Sequence, residues 1–93
     1  MPNYRVTLEC DGVPSNEGEE AAIDITKEFA EHRTHHENVV CAFRHGKLVL
    51  IAENDWDPEG LALMDEFSDC ISAYVVEPFD GDIRLISSAV IKP

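Results

Sequence analysis

The stretch VVCAFRHGKLVLIAE, residues 39–53, decides how the chain is read. Its two apolar runs are rich in β-branched and aromatic residues, and a His45-Gly46 pair separates them. Glycine supplies the positive φ that a two-residue turn demands, so the segment is expected to be a β-hairpin. A hairpin in the middle of the chain leaves room for one strand–helix unit before it and one helix–strand unit after it.

Upstream, YRVTLEC (4–10) alternates strictly. Tyr4, Val6, Leu8 and Cys10 point one way; Arg5, Thr7 and Glu9 point the other, as in a strand with one buried face. The turn-rich DGVPSNEGEE (11–20) follows. Asn16 stands as a helix cap with Glu19 three residues on, and acids at 17, 19 and 20 suit the positive end of the helix dipole. The helix is expected to run to about residue 34. Its apolar stripe is Ala22, Ile25, Thr26, Phe29 and Ala30, with Ile23 on the flank.

Downstream, Asp57 is read as an N-cap and Pro58 as the first helical residue, where its missing N–H costs nothing. Leu63, Met64, Phe67, Cys70, Ile71 and Tyr74 recur at spacings of three and four and form the stripe of a second helix. EPFDGD (77–82) reads as a turn and IRLISSAVI (83–91) as a last strand, with YVVEP (74–78) as a candidate short strand. The order is β-α-β-β-α-β. It predicts a single α+β domain over residues 1–93: a ferredoxin-like βαββαβ sandwich, an antiparallel sheet with two helices on one face. Many unrelated functions share that architecture, so it specifies none.

Composition narrows the classes. Nineteen acids against seven Lys and Arg give a formal charge of −12. Such a chain repels nucleic acid and anionic membranes, so neither is expected as a partner. The start, MPNYRVTLEC, lacks a basic n-region and an apolar h-region, and no stretch has the length of a membrane span; a cytoplasmic location is expected. Cys10, Cys41 and Cys70 contain no C-x-x-C pair and each falls on an apolar phase, as buried thiols of a reducing compartment would.

Two metal patterns arise and neither is favoured. Asp55, Asp57, Glu59, Gly60 and Glu66 approach the spacing of a calcium-binding EF-hand loop. They follow a strand candidate rather than a helix, however, and Pro58 stiffens the loop. A helix start uses the same residues without strain. Glu28, His32 and His36 share one side of a continued helix at i, i+4 and i+8 and form a candidate zinc set. Arg33 beside His32 opposes a dication, and histidines at a helix C-terminus are also explained by its negative end. No cofactor is implied.

The outward sheet face carries the clearest functional pattern. If Val6, Leu8, Val39, Cys41, Phe43, Leu48, Leu50, Ile83 and Leu85 face the helices, the opposite phase holds Arg5, Thr7, Glu9, Val40, Ala42, Arg44, Val49, Ile51, Arg84, Ile86 and Ser88. Arg5, Val40, Arg44, Val49, Ile51, Arg84 and Ile86 are the candidate interface or ligand residues. So much apolar surface on an open face suggests a homodimer, or a shallow pocket where arginines hold a small anion. A base-stacking role is excluded, because Tyr4 and Phe43 point inward. No nucleophile motif surrounds Ser87 or Ser88, and no phosphate loop or dinucleotide fingerprint is present. The expected function is therefore a self-associating interaction, regulatory or ligand-sensing module. The alternatives are a small dimeric enzyme with an anionic substrate, drawing on His32 or His45, or a divalent-metal-binding protein.

Overall fold

The computed structural model describes residues 3–76 and 81–92. Its elements are β1 (Asn3–Cys10), α1 (Gly18–His32), β2 (Glu37–Arg44), β3 (Lys47–Asn54), α2 (Leu61–Tyr74) and β4 (Ile83–Lys92). The strands form one sheet in the order β2-β3-β1-β4, and every adjacent pair is antiparallel. β1 and β2 both oppose β3, so they run parallel with β3 inserted between them. This is a split βαβ unit, and the architecture is broadly that of the ferredoxin-like α+β sandwich.

The hairpin forms as its sequence demands. His45 and Gly46 both take positive φ, 52° and 77°, and Arg44 pairs with Lys47 across the turn. The twist of such a turn matches that of the strands it joins.

The inward phase of β1 and β3 makes the core floor. Val6, Leu8, Leu48, Leu50 and Ala52 are fully buried beneath Ile25 and Phe29 of α1 and Leu63 and Phe67 of α2. The threonine of the α1 stripe does more than pack. Thr26 Oγ1 donates to Ala22 O (2.9 Å) and accepts from Cys41 N (3.0 Å), which ties the helix to edge strand β2. Ala30 and Ile23 of the expected stripe and flank are exposed.

Both helix starts differ from expectation. α1 begins at Gly18, and the cap position is Glu17, with no side-chain cap bond; Asn16 does not cap it. Gly18 is required by contact: a Cβ there would lie 2.3 Å from the Phe43 ring. α2 begins at Leu61, three residues after the expected first position, because Pro58 and Glu59 lie in a turn closed by Gly60 N–H donating to Asp57 O. Asp57 still serves the helix. Its Oδ1 accepts from Leu61 N (3.0 Å) and its Oδ2 from Leu63 N (3.1 Å). Gly60 takes φ 70°, and a Cβ on it would meet Val6 Cγ1 at 2.8 Å.

Tyr74 closes α2, so no strand forms at 74–76; the rest of YVVEP and most of the EPFDGD turn lie outside the described residues. β4 also departs from a simple alternation. Thr7 pairs with Ser87 but Leu8 with Leu85, which leaves Ile86 as an extra residue in a bulge. Ser88 consequently stands opposite Val6 on the helix side, not on the outward face, and its hydroxyl donates to Pro58 O. No helix among the described residues is long and apolar enough to cross a membrane.

Candidate functional site

The segment that leaves α1, THHEN (34–38), builds the most polar buried cluster among the described residues. Arg33 ends the helix, and its carbonyl accepts from His36 N at 3.2 Å, so the chain turns back on itself. That turn drives the His36 imidazole into the protein, where its side chain is 0% exposed. Phe29 lies at 5.8 Å and Trp56 at 5.5 Å, ring centre to ring centre.

Asn54, buried at the end of β3, fixes the state of that imidazole. Its Oδ1 accepts from the backbone N–H groups of Trp56 (3.2 Å) and Asp57 (2.8 Å), and this determines which way the amide points. Asn54 Nδ2 therefore donates to His36 Nδ1 (3.2 Å). With Nδ1 accepting, the proton of the neutral ring sits on Nε2, which donates to Glu66 Oε2 at 2.5 Å.

The other oxygen of Glu66 lies 2.6 Å from His35 Nε2. Arg33 Nη1 stands 3.7 Å from that same oxygen, and Arg33 Nε lies 3.5 Å from Glu28. Burial raises the Glu66 carboxyl pKa, but the hydrogen bonds it accepts from His36 and His35 outweigh that. The carboxyl is thus held below its ordinary value, and Glu66 is an acceptor at neutral pH. His35 must then donate from Nε2. Its ring lies 4.5 Å from His36 and 5.8 Å from Trp56.

Candidate ligand atoms of His35, His36 and Glu66 all fall within 4.8 Å of one another, close enough to suggest a metal centre. The chemistry of the donor set argues against it. A metal on His36 Nε2 requires the proton on Nδ1, which faces the Asn54 amide N–H₂. Turning that amide round would abandon two backbone N–H groups.

Neither metal set read from sequence is brought together. The helix stops at His32, which is exposed, so His36 lies beyond a turn rather than one helical turn further on. Glu28 engages Arg33 and the Tyr74 hydroxyl (3.5 Å). Of the EF-hand-like set, Asp55 and Glu59 are exposed, Asp57 is spent on the α2 backbone, and Glu66 belongs to the histidine cluster.

The outward sheet face has the predicted phase over β1, β2 and β3. Val40 pairs with Ile51 and Ala42 with Val49, and with Arg44 they line a shallow depression. Val40 is 54% exposed. Arg5 is not free to bind an anion, since its Nε and Nη2 reach Glu53 Oε2 at 3.1 and 3.0 Å. Asn38 donates to the other oxygen of Glu53 (2.9 Å). Arg84 pairs with Asp11, and Lys47 with Glu9 at 3.4 Å. Ile86, expected beside them, sits in the β4 bulge.

The three cysteines are free and buried, and desolvation raises the thiol pKa of Cys10 to about 11 and that of Cys41 to about 12. Sequence reasoning missed the partnership of His35 with Glu66. The two are 31 positions apart, and no local pattern links a residue after α1 to the polar side of α2.

The fold and these two sites define an α+β sandwich with a partly apolar open sheet face and a histidine–carboxylate cluster beside an exposed tryptophan. Compared with protein-family models, with curated proteins and with solved structures, the chain matches none.

Proposed function

We propose that the chain is a self-associating module whose outward sheet face meets the same face of a second copy. The observation that carries this reading is the way charge is arranged around the apolar depression. The outward phase holds four cations, Arg5, Arg44, Lys47 and Arg84, and three acids, Glu9, Glu37 and Glu53. The chain as a whole is at −12, whereas this face carries no excess of acids, so two copies can approach through it with less repulsion than the net charge implies.

Pairing within the chain also lowers the cost of covering the face. Arg5, Lys47 and Arg84 already have carboxylate partners, so contact strands few unpaired charges. The same pairs leave Arg44 as the one arginine of the three without an ion pair among the described residues, which favours a second copy over a small anion as the occupant. Size fits too. Four strands about 4.8 Å apart and about 26 Å long present roughly 500 Å² in projection, and side-chain relief brings this toward the ~800 Å² per partner of a standard interface. A twofold contact makes the depression self-complementary. The cytoplasm is the compartment that suits three free thiols.

Light scattering after size-exclusion chromatography tests the reading. A dimer is expected at micromolar concentration, and Ile51→Lys, at the centre of the depression, is expected to give monomer with unchanged circular dichroism. A wild-type chain that stays monomeric up to high concentration overturns it.

A further inference from the structure

One half of the histidine cluster is explained by stability alone. Asn54, His36 and Glu66 Oε2 form a chain in which each buried polar atom has a partner. The other half is not so explained. Glu66 Oε1 is given to His35, an exposed side chain, and both imidazoles lie against Trp56, which is 49% exposed. A structural bond has no need of a surface imidazole held by a carboxylate, nor of an indole left half in water beside it.

We propose that His35 is a general base, oriented by Glu66, for the attack of water on a small uncharged planar acyl compound that stacks on Trp56. The orientation follows from the hydrogen bonds. Because Nε2–H is committed to Glu66, Nδ1 keeps its lone pair for the proton to be taken. Glu66 is fixed in turn by His36, which Asn54 pins, and by the Arg33 guanidinium. A base held by a carboxylate that is itself held is the arrangement general-base chemistry requires. The substrate class follows from the surroundings. Trp56 offers a flat aromatic face. Asp55 and Glu59 are exposed nearby in sequence on a chain that is acidic overall, which disfavours anions.

The step balances without another reactant. His35 Nδ1 takes one proton from water as the water oxygen bonds to the acyl carbon. The bond from that carbon to the leaving oxygen then breaks, and the proton passes from Nδ1 to the leaving oxygen. Glu66 supports the transient imidazolium and acts as a positioning residue.

The probe is p-nitrophenyl acetate at neutral pH, with nitrophenolate release read by absorbance. His35→Gln is expected to lose about tenfold or more of the protein-dependent rate, while His32→Gln and His45→Gln, both at exposed positions, keep it. Trp56→Ala should raise KM with kcat little changed, and Glu66→Gln should lower kcat with KM little changed. Circular dichroism checks each fold, and if Glu66→Gln does not fold, His35→Gln and Trp56→Ala decide alone. A His35→Gln rate equal to wild type, or a wild-type rate no greater than that of free imidazole at the same histidine concentration, overturns the proposal.

Discussion

Leu8 and Leu85 stand opposite each other across the β1–β4 ladder, on the same side of the sheet. Leu8 is fully buried, whereas Leu85 is 43% exposed. The two differ in what lies above them. α1 lies over β2 and reaches β3, whereas α2 meets β4 over only a short stretch, so most of β4 is thinly covered. Val90, also on the helix side of β4, is 61% exposed, and Ile86 in the bulge is 50% exposed. An apolar phase in a strand therefore states which way a side chain points, and burial is decided by the layer that does or does not meet it.

Paired substitutions sharpen that contrast. Leu8→Ala is expected to cost about 2–5 kcal/mol in denaturant unfolding, because the cavity is enclosed on every side. Leu85→Ala should cost distinctly less, about 1–2 kcal/mol, since nearly half of its surface stays in water in either state. Equal losses would mean that something covers β4 in solution. Next in size is Asp57→Ala. It removes both acceptors at the α2 start and should cost about 1–2 kcal/mol, read as a shift of the unfolding midpoint at constant slope.

The smallest effect concerns the pH dependence of the covered side. The Glu66 carboxyl lies below its ordinary value of 4.5 when folded. Its ionised form then contributes stability above the unfolded pKa, and that contribution is lost as pH falls through the folded pKa. Glu66→Gln removes this dependence, so stability measured on acidification below about pH 4.5 should fall less steeply than in wild type. An identical acid limb in the two proteins would show that Glu66 gains nothing from its histidines.

The fold was legible because its strongest signals are local. The His45-Gly46 turn, the strict alternation from Tyr4 to Cys10 and the stripe from Leu63 to Tyr74 each announce one element, and the order of elements leaves few topologies. Helix starts were less legible, since caps compete over a few residues. Pro58 suits a first helical turn, yet it lies in the turn before α2, and the close approach of Gly60 to Val6 comes from the tertiary structure. The outward phase was readable on three strands and failed at Ser88, because one extra residue at Ile86 reverses everything beyond it. The histidine cluster was hidden for a different reason. His36 is buried by a turn that ends α1 early, and its partners Asn54 and Glu66 come from two other elements.

The β1–β4 ladder has a mechanical meaning as well. Asn3 pairs with Lys92, so residues near the two ends of the chain sit side by side on antiparallel neighbours. A force applied at those two points pulls across the ladder rather than along it. The hydrogen bonds then break in succession, pair after pair, instead of sharing the load as they would in shear. Under tension the molecule should yield at low force, β4 parting from β1 like a zip fastener from the Asn3–Lys92 pair onward.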